Sequence, residues 1–284
     1  MRVLIIAIAV IFSFVPAHAA SRVDCGRIQS AILHRAVPYC VMLPPSYDQD
    51  KTRKFPVVYY LHGLGDNEQS LINAGGWNIY DDLLSQKKVD EFLIVTPYGY
   101  QSFFINSRDG KFRYEDFFLR EFMPQIEKKY RVKPGRASHG IMGISMGGFG
   151  ALHYAFKYPQ KFAAVSTHMA ALMDVLPKNI GDTPEGKMMG TIFGSPIDEK
   201  YYQANNPLSL ARMAPVGELR SMKIYFDVGD HDHYGFNVGN AELDRILKQR
   251  KVLHEFHIFP GGHDMAFVLQ HFAASLEWQA KALK

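Results

Sequence analysis

Short apolar runs alternate with longer stretches of helical periodicity from Phe55 to the end of the chain. Runs such as VVYYL and FLIVT are apolar throughout, which predicts strands that are buried on both faces. In the longer stretches, apolar residues recur every three or four positions, as expected of helices that pack on a core. This rhythm predicts an α/β fold with a mostly parallel central sheet and helices on both faces.

The pattern predicts strands and helices at definite positions. The strands are 39–43, 55–61, 92–96, 137–142, 163–167, 223–228 and 255–259. The helices lie near 70–86, 114–129, 147–157, 239–251 and 265–282. Pro44, Pro45 and the charged stretch 48–54 predict a surface turn that joins the first two strands as an antiparallel pair.

Residues 171–222 interrupt this rhythm. They are rich in Pro, Gly, Asn and Met, have weak periodicity, and separate two strands that a much shorter connection could join. Long insertions of this kind are often lids or substrate walls, so we expect one here. The alternative is a surface excursion that contacts no ligand. We expect residues 20–284 to form one catalytic domain that contains this insertion.

The first 19 residues resemble an export signal. Arg2 is followed by an apolar run at 3–15 and by a small-x-small cleavage site at 17–19. The run is shorter than the ~20 residues that a membrane anchor needs. We therefore expect a signal peptide, a secreted or periplasmic protein, and no stable insertion in a membrane.

Charge and cysteine content narrow the choice of partners. Without Arg2 the chain keeps 31 basic and 28 acidic residues, and the basic ones are scattered, so we expect no nucleic-acid partner. The only cysteines are Cys25 and Cys40. In an exported chain such a pair predicts a disulfide, although two free thiols are the alternative.

The strongest candidate for chemistry is Ser145, the centre of the G-x-S-x-G sequence Gly143 to Gly147. It follows a predicted strand and opens a predicted helix. A nucleophile on such a strained turn needs small neighbours, and the helix N-terminus directs free N–H groups toward developing negative charge. The alternative is an ordinary serine at a glycine-rich helix entry.

A serine nucleophile needs a base, and His263 lies in the GGHD loop between the last predicted strand and helix. An acid should orient this histidine. We favour Asp232 on the loop after the strand 223–228, with Asp230 as the second choice. Asp227 should point into the sheet edge and is the least suitable.

Two further groups complete the candidate site. The oxyanion hole would use the amide of Met146, after the nucleophile, and the amide of Leu64, in the HGLG turn after an early strand. Aromatic residues at the carboxyl edge of the sheet are candidates for substrate binding, with packing beneath the insertion as the alternative. They are Trp77, Phe103 and Phe104, near Tyr98 and Tyr100.

A metal site is the rival interpretation of the histidine-rich loop. His231, Asp232 and His233 could chelate an ion together with His263 or Asp264, but no established zinc motif accompanies them. We therefore expect no cofactor.

Five segments resemble the esterase family of the α/β-hydrolase superfamily that includes feruloyl and acetyl xylan esterases, S-formylglutathione hydrolase (esterase D) and the antigen 85 mycolyltransferases. They are HGLGDNE, YED leading into FFLREFMPQIEKKY, GISMGGFGALHYAFKYPQKFAAV, FDVGDHD and PGGHDM. The resemblance covers roughly 37–283, and GISMGG with a downstream GGH is its most specific part. It implies the α/β-hydrolase fold.

The resemblance also implies the roles of single residues. Ser145, Asp232 and His263 would form the triad, and the amides of Leu64 and Met146 the oxyanion hole. The G-x-x-D pattern of the family favours Asp232 over Asp230. Where many relatives carry an aromatic residue two positions after the loop histidine, this chain has Met265, so substrate preference does not transfer.

These inferences predict a serine carboxylesterase that acts through an acyl-Ser145 intermediate on small or carbohydrate-linked esters, such as feruloyl or acetyl esters. Two alternatives remain open: an acyltransferase of the antigen 85 type, and a non-catalytic carbohydrate-binding relative. The complete triad argues against the second. The sequence leaves the oligomeric state open.

Overall fold

The computed structural model describes residues 21–283, so the predicted export signal lies outside the described residues. One sheet of eight strands organises this part of the chain. The strands are β1 (Arg22–Ser30), β2 (Arg35–Leu43), β3 (Val57–Leu61), β4 (Leu93–Pro97), β5 (His139–Ile144), β6 (Ala164–His168), β7 (Lys223–Gly229) and β8 (Glu255–Phe259).

The strand order is β1-β2-β4-β3-β5-β6-β7-β8, and all neighbours from β4 to β8 are parallel. The mostly parallel sheet is therefore confirmed. The predicted antiparallel pairing of the strands around 39–43 and 55–61 is wrong, because β4 lies between them and pairs with both. The helical crossover after β3 returns the chain parallel to β3, and β4 takes the place that a hairpin would have used.

Twelve α-helices accompany the sheet in the described residues. They are α1 (Ser46–Gln49), α2 (Ser70–Asn73), α3 (Gly76–Ser85), α4 (Tyr114–Phe117), α5 (Met123–Lys129), α6 (Met146–Lys157), α7 (Pro184–Phe193), α8 (Glu199–Asn205), α9 (Pro207–Met213), α10 (Val216–Arg220), α11 (Phe236–Gln249) and α12 (Met265–Ala282). A π-helical turn, Phe118–Phe122, joins α4 to α5. None of the helices in this part of the chain is long and apolar enough to cross a membrane.

The predicted helix at 70–86 is two helices. Gly75 separates α2 from α3 with a φ of 101°, a left-handed conformation that glycine adopts without the steric cost of a side chain. At Gly76 an added Cβ would lie 2.4 Å from the side chain of Leu71, so the two helices approach each other closely. The chain therefore changes direction sharply within a stretch that the sequence pattern predicts to be one amphipathic helix.

Hydrophobic cores lie on both faces of the sheet. Alternate residues of β3 enter opposite cores, Tyr59 into one and Tyr60 into the other. Helices α3 and α12 cover the core that contains Tyr60. Helices α5, α6, α9 and α11 contribute to the core that contains Tyr59. Burial on both faces is the reason why the central strands are apolar at every position.

A disulfide between Cys25 and Cys40 fastens the edge of the sheet, as the sequence predicts. The two residues face each other across β1 and β2, with Cα atoms 4.0 Å apart. The sequence pattern does not predict β1, because this edge strand is largely exposed and alternates less clearly than the buried strands. The crosslink compensates for the small apolar area that such a strand can bury.

Candidate active site

Ser145 occupies a sharp turn between β5 and α6, with φ 52° and ψ −115°. The turn is packed against backbone on both sides. A Cβ at Gly143 would lie 2.1 Å from the Gly147 carbonyl oxygen, and a Cβ at Gly147 would lie 2.0 Å from that of Leu61. Larger residues cannot occupy these positions, so the two glycines hold the Ser145 hydroxyl above the end of the sheet.

His263 links Ser145 to Asp232. Its Nε2 lies 2.9 Å from Ser145 Oγ, and its Nδ1 lies 2.7 Å from Asp232 Oδ2. The Asp232 side chain is fully buried and that of His263 is 10% exposed. The carboxylate can only accept, so Nδ1 carries the proton and Nε2 is free to accept the proton of the serine hydroxyl. The structure thus brings these three predicted residues together.

The two other candidate acids have different partners. Asp230 Oδ1 accepts a hydrogen bond from the Gly261 amide at 2.9 Å, which ties the acid loop to the histidine loop. The sequence predicted that Asp227 would point into the sheet edge. In the structure β7 is not an edge strand, because β8 extends the sheet beyond it. Asp227 is fully buried and lies 2.8 Å from His168 Nδ1. In the described part of the chain, neither carboxylate forms a hydrogen bond with His263.

Two aromatic rings, Tyr234 and Phe236, pack against the His263 ring, and we call them the aromatic clamp. Their ring centroids lie 4.9 and 5.3 Å from that of His263, both at steep interplanar angles. Tyr234 shares its loop with Asp232, whose Oδ1 accepts a hydrogen bond from the Tyr234 amide at 2.9 Å, and Phe236 is the first residue of α11. Sequence reasoning missed the clamp, although the run HDHYGF places both aromatics directly after the acid.

The turn from Gly63 to Asp66 contains the first candidate donor of the oxyanion hole, the amide of Leu64. The Asp66 amide donates to the Gly63 carbonyl at 3.3 Å, and Gly65 has a φ of 82°. Leu64 therefore occupies the corner of the turn, where its N–H is not used within the turn. Met146 N–H is the second candidate, at the first position of α6. Within residues 21–283 neither amide donates a hydrogen bond.

His62 fixes the orientation of this turn. The Gly99 amide donates to His62 Nε2 at 2.8 Å, so Nδ1 carries the proton and donates to the Gly63 carbonyl at 2.7 Å. Burial lowers the pKa of His62, which favours this neutral form. In a trans peptide the C=O and N–H point in opposite directions, so a carbonyl held toward His62 turns the Leu64 N–H away from it.

Ser145 and His263 open into a cavity of about 470 Å³. Phe103 lines its wall. Phe104 does not: it is fully buried below the site and packs edge-on against His62 at 5.4 Å. Trp77 is absent from the cavity lining and packs beside the core on the α3 side of the sheet. Of the three predicted substrate-binding aromatics, the structure brings only Phe103 to the triad.

The insertion forms one wall of this cavity. Eight of its residues line the space beside Ser145, and they come from the segment before α7 and from α7 itself. They are Ala171, Met173, Pro177, Ile180, Thr183, Glu185, Met188 and Met189. The Thr183 hydroxyl caps α7 by accepting from the Gly186 amide at 3.0 Å, which fixes the start of this wall. A wall of this kind fits the substrate-wall interpretation of 171–222.

The strand order and the serine at a strand-to-helix turn define an α/β-hydrolase fold. The family model described as "Putative esterase" matches residues 30–279, and the chain belongs to this esterase family. It is similar to an esterase of Mycobacterium tuberculosis, with 30% identity over 245 residues that cover 78% of this chain and 51% of that protein.

Two other relatives match over nearly their full length. S-formylglutathione hydrolase of Mus musculus is 30% identical over 291 residues, which cover 91% of this chain and 95% of that protein. A solved ferulic acid esterase superimposes with a TM-score of 0.80 and 28% identity, covering 93% of this chain and 99% of that one. By contrast, the chain spans about half the length of the Mycobacterium tuberculosis relative.

Proposed function

We propose that this protein is an exported serine esterase that hydrolyses carboxylic esters through an acyl-Ser145 intermediate. The observation that carries the proposal is the continuous hydrogen-bonded chain from Ser145 through His263 to buried Asp232, at the floor of an apolar cavity. Esterase relatives that match the chain support the same chemistry.

The first half of the reaction forms the acyl enzyme. His263 Nε2 takes the proton of the Ser145 hydroxyl as its oxygen attacks the ester carbonyl, and Asp232 stabilises the resulting imidazolium. The negative oxygen of the tetrahedral intermediate accepts hydrogen bonds from the amides of Leu64 and Met146. His263 then gives its proton to the alcohol oxygen. The alcohol leaves, and the acyl group remains bound to Ser145 as an ester.

The second half releases the acid. A water molecule enters the position of the departed alcohol, and His263 removes its proton as it attacks the acyl carbon. The same two amides stabilise the second intermediate. Collapse of that intermediate returns the proton from His263 to Ser145 Oγ and frees the carboxylic acid.

Feruloyl, acetyl or other small and carbohydrate-linked esters are the substrates that we propose. The name of one similar solved structure, ferulic acid esterase, supports this class of substrates. The largely apolar lining of the cavity suits an aromatic or aliphatic acyl group. The sequence at 1–19 and the disulfide between Cys25 and Cys40 support export to an oxidising compartment.

The test is hydrolysis of p-nitrophenyl acetate by wild type and by Ser145→Ala, with labelling by a fluorophosphonate located by mass spectrometry. We expect turnover and a label on Ser145, and loss of both in the variant. Ser85→Ala, an exposed serine on α3, is the control and should behave as wild type. An unchanged rate in Ser145→Ala would refute the proposal.

Product analysis separates hydrolysis from transfer. Equal amounts of free acid and alcohol in buffer are the expected result for an esterase. Recovery of the acyl group on an added sugar acceptor, in place of free acid, would instead establish an acyltransferase.

A further inference from the structure

The charged side chains that line the cavity, apart from the triad histidine, are all acidic. Among residues 21–283 they are Asp66, Glu185 and Asp264. They come from three separate segments: the oxyanion turn, the first turn of α7, and the N-cap of α12. The whole chain has a formal net charge of +4, so composition alone would not produce a cavity without lysine or arginine.

The three carboxylates are not neutralised by neighbouring cations. None of them forms an ion pair with lysine or arginine in the described part of the chain. Asp264 Oδ1 accepts a hydrogen bond from the Phe267 amide at 2.8 Å, which leaves its charge in place. A negatively charged ligand in the cavity would therefore meet three carboxylates and no lysine or arginine among the lining residues.

The inner wall of the cavity has a different character, because methionines dominate it. Within residues 21–283, six of the twelve methionines of the chain line it, and they come from four stretches of the sequence. They are Met146, Met169, Met173, Met188, Met189 and Met265. Unbranched thioether side chains fill irregular space and adapt to different apolar shapes. This wall therefore suits an apolar acyl group, and it does not require that group to have one particular shape.

We propose that this cavity selects electrically neutral esters with an apolar acyl group and discriminates against substrates that carry a carboxylate near the ester. The inference rests on the proposed esterase function and narrows its substrate class. It separates the chain from the activity in the name of one relative, S-formylglutathione hydrolase, because a glutathione thioester carries carboxylates into the site. Neutral feruloyl and acetyl esters stay within the class.

The experiment compares two esters that differ in charge at one end: mono-p-nitrophenyl adipate, which carries a carboxylate, and its neutral methyl ester. The ratio of their kcat/KM values is the measured quantity, after correction for spontaneous hydrolysis. For the wild type we expect the neutral ester to be favoured roughly tenfold or more at low salt, and less at high salt, because salt screens exposed charges.

Glu185 provides the sharpest variants because it lies on the α7 wall and outside the triad. Glu185→Gln should reduce the preference for the neutral ester several-fold, and Glu185→Lys should reduce it further. Glu199→Gln is the matched control. Glu199, like Glu185, lies in the first turn of a helix of the insertion, but it does not line the cavity. Its variant should keep the wild-type ratio.

The possible failures are distinguishable. Equal use of both esters by the wild type, a preference for the anion, or an unchanged ratio in Glu185→Lys would overturn this inference and leave Ser145-dependent hydrolysis standing. Absence of turnover for both esters, together with no fluorophosphonate label on Ser145, would overturn the proposed function itself and the selectivity with it.

Discussion

His62 is held by two hydrogen bonds that determine which of its nitrogens carries the proton. Its hydrogen-bond partners in the described residues are Gly63 and Gly99, and its ring is buried between Tyr98 and Phe104. The HGLG sequence predicted the turn that carries the Leu64 amide, but it gave no role to the His62 side chain. The structure adds a reason for the histidine: it holds the Gly63 carbonyl and with it the direction of the Leu64 amide.

We expect His62→Phe to lower kcat by about 10²-fold, with a much smaller change in KM. Phenylalanine keeps the aromatic packing but loses both hydrogen bonds, so the Leu64 amide is no longer fixed, and loss of one oxyanion donor typically costs this much. Steady-state kinetics together with circular dichroism would measure the effect in a folded variant. Wild-type kcat in folded His62→Phe would contradict the positioning role.

The short segment from Asp232 to the start of α11 supplies both the acid and the aromatic clamp, so it determines how His263 is held. The G-x-x-D pattern indicated the acid within this loop. The clamp could not be derived in the same way, because its partner ring lies some thirty positions away and an aromatic residue in a loop is equally typical of core packing.

Removing the clamp should impair catalysis more than binding. For Tyr234→Ala and Phe236→Ala we expect kcat to fall roughly ten- to a hundredfold, because a misplaced base loses alignment with Ser145. Tyr234→Phe should restore activity. The low-field proton resonance of the His263–Asp232 hydrogen bond should broaden in the alanine variants and persist in Tyr234→Phe, whereas a merely structural role would leave it unchanged.

Glu115 joins α4 to α6. It lies 2.8 Å from both His153 Nε2 and Lys157 Nζ, and it also accepts a hydrogen bond from the Tyr158 hydroxyl. Burial by itself would raise the pKa of Glu115, but the hydrogen bonds and charges of His153 and Lys157 lower it to about 2. The folded state therefore binds a proton here less readily than the unfolded state.

A lowered carboxyl pKa contributes stability above the unfolded value, near 4.5, and that contribution disappears as the pH falls toward 2. We expect at most about 3 kcal/mol from Glu115 at neutral pH. Denaturant unfolding between pH 7 and pH 3 should show a flatter pH dependence for Glu115→Gln than for wild type. Parallel curves would refute the assignment, and Glu199→Gln is the control.

Across the whole molecule, the disulfide secures the edge strand β1 while the site lies at β5, β7 and β8 on the other side of the sheet. Reduction, or the double change Cys25→Ser and Cys40→Ser, should lower the free energy of unfolding by about 3 kcal/mol, the usual value for a loop of this length. Denaturant midpoints with and without reductant measure it. Ester turnover in the folded protein should stay close to that of wild type.

The sequence by itself determined the elements whose chemistry is local. Continuous apolar runs identified the buried parallel strands, and the strand 255–259 and the helix 265–282 were predicted to the residue. The turn around Ser145 was also predictable, because its glycines are required within a few residues of one another. The loop positions of Asp232 and His263 followed from the order of strands along the chain.

Tertiary structure decided what depends on residues far apart in the sequence. It placed β4 between β2 and β3. Trp77 packs against the core that contains Tyr60 and does not reach the cavity, and Phe104 is buried beneath the cavity that Phe103 lines. The tertiary structure also gathered three carboxylates and six methionines around one space. Periodicity specifies which face of an element is apolar, but only packing in three dimensions selects the partner of that face.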